Sequence, residues 1–489
     1  SLPGRFGIGD LGEQAYRFVD FMAAAGQAYW QVLPISPTGY GDSPYQGLSA
    51  FAGNPMLISP EKLVEIGHLS QADLEAVTPF PADRVDFGPV ISHKTALLNR
   101  AFARFRAETP AGQRQAFARF CEEQAFWLDD FALFMALKEA HDLQPWEDWE
   151  PELRTRQPEA LVRWRASLAG QIENQKYRQW QFYEQWLAVK AYANQKGIRL
   201  IGDIPIFVAF DSTDVWANSH LFHLDEELQP TVVSGVPPDY FSETGQLWGH
   251  PLYRWELMAE SGYAWWIARF RQAFTQADVV RIDHFRGFYN YWEVPAGAQT
   301  AVNGRWLLGP GPDLFRAVTA ALGKVAIIAE DLGDFDATSR AGVDALQAEF
   351  GYPGMKVLQF AFGGGPGDPF LPHNFISDCI VFTGTHDNDT VLGWYQASST
   401  HRERDFARKY LRSDARDIAW DMIWQAWSSV GHTAMTTAQD LLGLGHDCRM
   451  NTPGTVGAPN WCWRILPGAL HDGIARRLRD LTFIYGRLP

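Results

Sequence analysis

The chain has few cysteines, few basic residues and no long apolar run. Its four cysteines among 489 residues form no C-x-x-C pair and no zinc-binding spacing, which fits buried thiols in a reducing compartment. Lys and Arg total 42 against 57 Asp and Glu, so the formal charge is −15 and the basic patches that bind nucleic acid are not expected. Because no apolar stretch reaches about 18 residues, we expect no membrane span.

The N-terminus also lacks two features. The first residues, SLPGRFGIGDLG, carry neither a starting Met nor a signal peptide, and they look like the middle of a loop. We therefore expect a preceding segment to be absent from this sequence, and we expect a cytoplasmic location.

Apolar runs of strand length alternate with helical patterns through much of the chain. The strand candidates lie at residues 28–35, 199–209, 277–283, 324–331, 355–362 and 379–387. Strand, helix, strand at this rhythm indicates a parallel α/β fold. Because no G-x-G-x-x-G fingerprint occurs, the pattern favours a closed (β/α)8 barrel over an open Rossmann sheet.

Three segments lie outside the alternation of strands and helices. Residues 60–195 are rich in helix formers and are predicted to be a mostly helical insertion within a single barrel over residues 1–489. Residues 235–255 are predicted to be a loop that forms a lid. Residues 465–489 predict one amphipathic helix, and nothing there indicates a C-terminal β-sandwich.

Three strand candidates end in an acidic residue. The segments VVRIDHFRG, AIIAEDLG and VFTGTHDND place Asp283, Glu330 and Asp387 where a strand should pass into a loop. Carboxylates at successive strand ends of a barrel can converge on one point. Chemistry at a glycosidic bond needs such a convergence, with one carboxylate to attack and one acid to protonate the leaving oxygen.

Asp283 has Arg281 two residues before it, so a strand would point both side chains to one side. The guanidinium is expected to hold the carboxylate ionised and to lower its pKa, as a nucleophile requires. The alternative is a structural Arg–Asp pair at a strand end.

Glu330 follows an apolar run, so its carboxyl is expected to be partly buried. Burial raises the pKa of a Glu toward the value that a general acid needs. The alternative is a carboxylate that only supports its neighbours.

Asp387 lies in T-H-D-N-D, where His386 and Asp387 are suited to bind adjacent sugar hydroxyls. One alternative is a metal site of His386, Asp387 and Asp389, but no second His cluster supports it. Another is an N-cap, in which Asn388 or Asp389 opens the following helix.

Three loops are candidates for contact with a ligand. Residues 39–47 place Tyr45 on a turn, and residues 235–253 carry Trp248 in a polar, turn-rich stretch that is aromatic for a loop. An indole tucked under its own loop is the alternative for Trp248. The Gly/Pro-rich residues 450–463 are a further loop that could face the same cleft.

Taken together, the motifs resemble those of the 4-α-glucanotransferases, also called amylomaltases or disproportionating enzymes. The matching stretches include D-S-P-Y-Q, G-D-I-P-I-F-V-A, G-V-P-P-D-Y-F-S-E-T-G-Q-L-W-G, V-R-I-D-H-F-R-G, A-E-D-L-G, T-H-D-N-D and N-T-P-G-T-V-G-A-P-N-W-C-W-R. The match runs nearly end to end in the family's order. It implies a (β/α)8 barrel of the α-amylase clan without the usual C-terminal β domain, and transfer of an α-1,4-glucan segment with retention. In this family the segment before S-L-P-G holds the first barrel strand.

The resemblance also implies a role for each residue that matches a family motif. Asp283 would be the nucleophile, Glu330 the general acid/base and Asp387 the transition-state stabiliser. The residues implied to bind substrate or support its site are Tyr45, Asp203, Asp239, Trp248, Arg281, His284 and His386. Of these, Asp239 and Trp248 belong to the lid over the acceptor side.

Two departures from the family pattern are small. His250 stands where W-G-N-P usually has Asn, and G-A-P-N-W replaces a shorter G-G-N-W. We expect little effect from the first and a changed loop detail from the second.

The resemblance implies α-1,4-glucans, maltooligosaccharides and glucose as ligands, no cofactor and no metal. Neither nucleic acid nor membrane is an expected partner, and the expected assembly is a monomer or homodimer. The rival hypotheses are an α-glucan hydrolase of the same clan, an inactive glucan-binding scaffold and a metal-dependent hydrolase at T-H-D-N-D.

Overall fold

The structure, a computed structural model, describes residues 1–75, 79–238 and 242–489. Its strands are β1 (Tyr29–Gln31), β2 (Arg199–Pro205), β3 (Val232–Val236), β4 (Gln246–Pro251), β5 (Val279–Asp283), β6 (Asn290–Pro295), β7 (Arg305–Leu308), β8 (Ile327–Ala329), β9 (Gly354–Val357), β10 (Cys379–Phe382) and β11 (Thr433–Met435).

The helices include several short ones in the loops between strands. They are α1 (Glu13–Ala24), α2 (Pro60–Glu65), α3 (Phe87–Glu108), α4 (Ala111–Glu123), α5 (Ala125–Ala140), α6 (Pro151–Arg154), α7 (Pro158–Ser167), α8 (Ala169–Gln195), α9 (Thr213–Ala217), α10 (Trp255–Glu260), α11 (Ala264–Gln276), α12 (Pro312–Leu322), α13 (Ala337–Phe350), α14 (Val391–Gly393), α15 (His401–Leu411), α16 (Ile418–Ser428), α17 (Ala438–Leu441) and α18 (Asp472–Ile484).

Parallel strands run side by side in chain order and form the centre of the fold. β1, β2, β5 and β8 make one sheet, and β9, β10 and β11 make another. The amide of Ala329 in β8 donates to the carbonyl of Pro353 before β9 (3.0 Å), which joins the two sheets. Helices lie between most successive strands, as in a (β/α)8 barrel, so the predicted fold class is confirmed.

The row of parallel strands begins at β1 and ends at β11. Within the described residues, no strand pairs with the outer edge of either one. A cavity of about 800 Å³ lies between them, and Trp30 and Ala434 are among the residues that line it. The strand expected on the N-terminal side of Ser1 stays a prediction.

A second sheet, which the sequence did not predict, is antiparallel in the order β4-β3-β6-β7. The prediction of a loop over 235–255 is wrong for residues 235–236, which end β3, for residues 246–251, which form β4, and for Trp255, which begins α10. Exposed Leu247 and Gly249 alternate in β4 with the more buried Trp248 and His250. This alternation spans too few residues to stand out among the surrounding Gly and Pro.

The chain between β1 and β2 is largely helical. It forms α2 to α8, and the long helix α8 buries Tyr177, Trp180 and Phe182 in an aromatic core. This core continues into the barrel through Leu200 of β2. The helical segment is therefore packed on the barrel and shares its core.

Local signals explain where helices begin and end. Asp336 caps α13 by accepting from the amide of Ser339 (2.9 Å), and Gly351 ends this helix with a φ of 69°. The C-terminal helix α18 begins at Asp472, later than the predicted 465, because a turn at Gly468 with a φ of 77° precedes it. The described residues after Met435 form helices and loops.

Among the described helices, none combines the length and apolar character of a bilayer span.

Candidate active site

The carboxyl ends of the parallel strands bring the predicted site residues together. Asp203 in β2 lies beside Arg281 in β5, and Asp283 is the last residue of β5. Glu330 follows directly on β8, and Asp387 follows β10 after a short loop. The charge of Asp387 acts on Asp283, and that of Asp283 acts on Glu330, so the three carboxyls lie within electrostatic reach of one another.

Arg281 is the centre of a buried ion-pair network. Its Nη1 donates to both oxygens of Asp203 (2.8 and 2.7 Å), and its Nη2 donates to Oδ1 of Asp283 (2.9 Å). The hydroxyl of Tyr45 donates to Oδ2 of Asp203 (2.7 Å). The side chain of Asp203 is 0% exposed and that of Asp283 is 28% exposed. Asp203 therefore acts on the site through Arg281 and Tyr45, whereas Asp283 faces the cleft.

The pKa of Asp283 is raised, although a guanidinium contacts its carboxylate. Burial raises this pKa most, Arg281 lowers it, and the negative charges of Asp203 and Asp387 raise it again. The expectation that Arg281 would lower the pKa of Asp283 below its ordinary value is wrong, because burial outweighs the ion pair. Arg281 still limits the rise and favours the charged form.

Glu330 is held by the main chain on both sides. The amide of His284 donates to its Oε2 (2.7 Å), and the amide of Leu332 donates to its Oε1 (2.9 Å). Main-chain hydrogen bonds also join the two strand ends: the amide of Glu330 donates to the carbonyl of Ile282 (3.1 Å), and the amide of Phe285 donates to the carbonyl of Glu330 (3.0 Å). The position of Glu330 relative to the end of β5 is thus set by the backbone.

The pKa of Glu330 is raised to about 8. Burial is the largest cause and the charge of Asp283 adds to it, while Arg281 and the two amides oppose the shift. The direction agrees with the expectation for a carboxyl after an apolar strand. A carboxyl with this pKa holds a proton at neutral pH and can give it to a leaving oxygen.

His386 and Asp387 form an ion pair, with Nε2 of His386 3.3 Å from Oδ2 of Asp387. Burial raises the pKa of Asp387, but His386, Asn451 and Arg281 outweigh it and lower the pKa to about 2. Burial lowers the pKa of His386, but the charge and hydrogen bond of Asp387 raise it above its ordinary value. The contacts within the pair thus favour the carboxylate form of Asp387 and the protonated form of His386.

Asn451 and Arg449 are site residues that the sequence did not single out. Nδ2 of Asn451 donates to Oδ1 of Asp387 (2.6 Å), and its amide donates to the carbonyl of His386 (3.1 Å). Nη2 of Arg449 donates to the carbonyl of Asp387 (2.6 Å). The signal for Asn451 was the Gly/Pro-rich stretch 450–463, whose expected position at the cleft agrees with these contacts, whereas Arg449 lies just before that stretch and had no signal.

His284 and Trp248 meet above β5. Their rings lie edge to face with centroids 4.8 Å apart, and Trp248 is half-buried on the strand β4. His284 has a φ of 53°, a conformation uncommon outside Gly and Asn. Burial, and to a lesser extent Arg286, lowers the pKa of His284 to about 3. Its buried Nε2 has no hydrogen-bond partner among the described residues. Asp239, the second residue predicted for the lid, lies outside the described residues.

Asp389 points away from Asp387 and does not share a site with it. Its Oδ2 accepts from the hydroxyl of Ser398 (2.5 Å) and lies 2.8 Å from Nδ1 of His446. In residues 1–75, 79–238 and 242–489, no group of three or more His, Cys, Asp or Glu has metal-binding geometry. The N-cap of α14 is Thr390, one residue beyond the predicted cap.

A parallel barrel with two interacting carboxyls and a third at its carboxyl edge has the arrangement of an enzyme that acts on glycosidic bonds. Comparison with known proteins agrees with this class. The family model described as 4-alpha-glucanotransferase matches residues 1–469, and the chain belongs to that family.

Relatives match along the whole chain. It is 48% identical over 496 residues to the 4-alpha-glucanotransferase of Thermus thermophilus, an alignment that covers 100% of this chain and 97% of the relative. It is also 48% identical over 491 residues to the 4-alpha-glucanotransferase of Synechocystis sp., with 100% and 96% covered. The structure of an amylomaltase from Streptococcus agalactiae in complex with acarbose superposes with a TM-score of 0.96 at 39% identity, covering 100% of this chain and 98% of that one.

Proposed function

We propose that the protein transfers segments of α-1,4-glucans to the 4-hydroxyl of another glucan or of glucose, with retention at the anomeric carbon. The observation that carries this proposal is the Asp283–Glu330 pair: a carboxylate held by Arg281 beside a carboxyl whose pKa is about 8. One group is suited to attack and the other to give and take a proton. The family and the names of its members support the same activity.

In the first step Asp283 attacks the anomeric carbon of the donor. A bond forms from its carboxylate oxygen to that carbon as the bond to the leaving O4 breaks, and Glu330 gives its proton to that oxygen. The donor's reducing fragment leaves as an alcohol. The rest of the donor stays as a glycosyl ester on Asp283.

In the second step the acceptor replaces the ester. Glu330, now a carboxylate, takes the proton of the acceptor 4-hydroxyl, whose oxygen attacks the anomeric carbon and releases Asp283. Two inversions at one carbon give net retention. This mechanism requires the two carboxyl groups to lie about 5–5.5 Å apart in the bound state.

The remaining site residues bind and orient the sugar. Asp387, ionised at neutral pH by its pair with His386, accepts from hydroxyls near the reacting carbon and stabilises the positive charge that develops there. The unpartnered Nε2 of His284 is placed to bind another hydroxyl. Arg281 holds Asp283 directly, and Asp203, which accepts from Tyr45, holds Arg281 in place. Asp239 is proposed to act on the acceptor side with Trp248.

Transfer instead of hydrolysis requires water to be kept from the glycosyl ester. Trp248 lies edge-on to His284, the residue after the nucleophile, so β4 covers one side of the site. An acceptor glucan that packs against this indole would fill the space that water otherwise enters. We propose this as the role of the segment predicted to be a lid.

The test of the proposed activity is incubation with maltotriose and analysis of the products. A transferase yields glucose together with maltopentaose and longer oligomers. An α-glucan hydrolase yields mainly glucose and maltose, and this outcome would overturn the proposal.

The pH dependence tests the assignment of the acid. We expect kcat/KM on maltotriose to fall as the pH rises through about 8, because Glu330 loses there the proton that it must give. At low pH the rate falls as Asp283 gains a proton and stops being a nucleophile. The two carboxyls interact, so both limbs belong to the pair. Initial rates from about pH 4 to 10 measure the profile, and a rate that stays flat across pH 8 would contradict the assignment.

We propose a cytoplasmic location and soluble glucan or glucose partners. The four cysteines are free thiols, which fits a reducing compartment. Cell fractionation followed by the maltotriose assay checks the location, and activity confined to an extracellular fraction would contradict it.

A further inference from the structure

Three rings pack together at the side of His386. Tyr45 stacks on His386 with centroids 5.1 Å apart and an interplanar angle of 18°. Trp461 touches both, with its centroid 5.8 Å from that of Tyr45 and 5.9 Å from that of His386. The imidazole of His386 therefore lies between the carboxylate of Asp387 and two aromatic rings.

Trp461 is held in an uncommon backbone conformation. Its φ is 64°, in the region that favours Gly and Asn, and such a conformation persists only where the surroundings impose it. Its amide donates to the carbonyl of Met450 (2.8 Å), next to Asn451. Asn451 in turn binds the main chain of His386 and the carboxylate of Asp387. The turn that holds Asp387 thus also sets the position of the indole.

The charges around His386 show why an aromatic neighbour matters. The titratable and charged groups that face it or its partner are Asp387, Arg281, Asp203, Asp283, Tyr45 and Arg449. Burial and Arg281 disfavour the imidazolium, whereas Asp387 and Asp203 favour it. An indole face also attracts a cation without adding a titratable group.

We propose that Trp461 is a positioning residue that keeps His386 as the cationic partner of Asp387. This inference rests on the proposed function, in which the His386–Asp387 pair stabilises the transition state. Trp461 acts through His386: its ring stabilises the imidazolium, and the imidazolium keeps Asp387 ionised and oriented toward the sugar. The stretch 450–463 thus contributes to the chemistry through its aromatic residue as well as through Asn451.

The experiment compares Trp461→Leu and Trp461→Phe with the unmodified protein. Leu retains an apolar group beside the imidazole but removes the aromatic face, and Phe retains that face. Nuclear magnetic resonance of protein labelled at the histidine ring carbons follows the titration of His386, which is assigned by the signal missing from His386→Gln. We expect Trp461→Leu to lower the midpoint by about half a pH unit or more, and Trp461→Phe to stay close to the unmodified value.

Activity gives a second readout. With a shift of half a unit, kcat/KM of Trp461→Leu relative to the unmodified protein should fall as the pH rises through the measured midpoint of His386, reaching about a threefold decrease above it. Taking the ratio removes the effect of Glu330, which is common to both proteins. Trp463→Phe is the matched control, because Trp463 lies in the same stretch but its backbone pairs with Arg84. It should change neither the titration nor the ratio.

The outcomes separate this inference from the proposed function. If the unmodified protein forms no oligomers longer than maltotriose when maltotriose is the substrate, the proposed function is contradicted. A protein that transfers glucan, but whose His386 titrates alike in the unmodified and Trp461→Leu forms, would overturn the inference alone. Equal shifts in Trp461→Leu and Trp463→Phe would also overturn it, because they indicate a general loosening of the stretch. If Trp461→Leu does not fold, Trp461→Met, which also lacks an aromatic face, takes its place: a lowered midpoint supports the inference, and an unchanged midpoint overturns it.

Discussion

Replacing Asp283 with Asn should remove glucan transfer almost completely, by roughly 10⁴-fold or more in kcat. The amide has nearly the volume of the carboxylate but has no charge with which to attack the anomeric carbon, so the glycosyl ester cannot form. The remaining contacts of the cleft are unchanged, and binding of a maltooligosaccharide, measured by calorimetry, should persist. Product formation from maltotriose measures the loss.

A charge-matched control separates the loss of the nucleophile from the loss of a negative charge. Asp313 is 71% exposed and pairs with Arg316 at the surface, so Asp313→Asn should keep full activity. If Asp283→Asn retains more than about a tenth of the activity, another group is the nucleophile. The inactive-scaffold hypothesis predicts no transfer by the unmodified protein and no change in either variant.

Replacing Glu330 with Gln should lower transfer from maltotriose by about 10²- to 10⁴-fold, because no group then protonates the leaving oxygen. A donor whose leaving group needs no proton, such as α-maltosyl fluoride, should bypass this loss in the first step. The second step still lacks its base, so the maltosyl ester on Asp283 should accumulate. Intact-protein mass spectrometry detects it as an added maltosyl unit.

Two comparisons make this prediction specific. Asp334 lies on the exposed loop after β8, where its carbonyl accepts from Arg286 and its charge has only a minor effect on that guanidinium, so Asp334→Asn is expected to behave as the unmodified protein. Azide, a nucleophile that needs no base, should release the trapped ester from Glu330→Gln. Equal losses with maltotriose and with the fluoride donor would show that Glu330 is not the acid.

The barrel and the positions of the three acids could be predicted because they depend on local patterns. The strands that end at Asp283 and Ala329 are short, apolar and β-branched, and parallel strands place their carboxyl ends at one edge. The antiparallel sheet was missed because its strands lack a clear local pattern. The alternation in β4 covers few residues, and β6 pairs with β3 from a distant part of the chain.

The electrostatics of the site were predicted in part. The raised pKa of Glu330 follows from burial after an apolar strand, which the sequence shows. The raised pKa of Asp283 was missed because it depends on the burial of Asp283 itself and on the charges of Asp203 and Asp387, which come from distant parts of the chain. Asn451 was missed as a site residue for the same reason, because its contact with Asp387 spans sixty-four positions. No local pattern carries that information.

The main-chain hydrogen bonds between the end of β5 and the end of β8 have a consequence for how the site can vary. They link Ile282 and Phe285 to the backbone of Glu330, and the amide of His284 donates to the carboxylate of Glu330, so the residues flanking the nucleophile are tied to the acid with no other side chain of the cleft. Substitutions around the cleft can therefore alter which sugar chain is accepted while the anomeric outcome stays the same. The stereochemical outcome at the anomeric carbon thus depends on the backbone at the ends of β5 and β8. We expect the preferred chain length to depend on the surrounding loops.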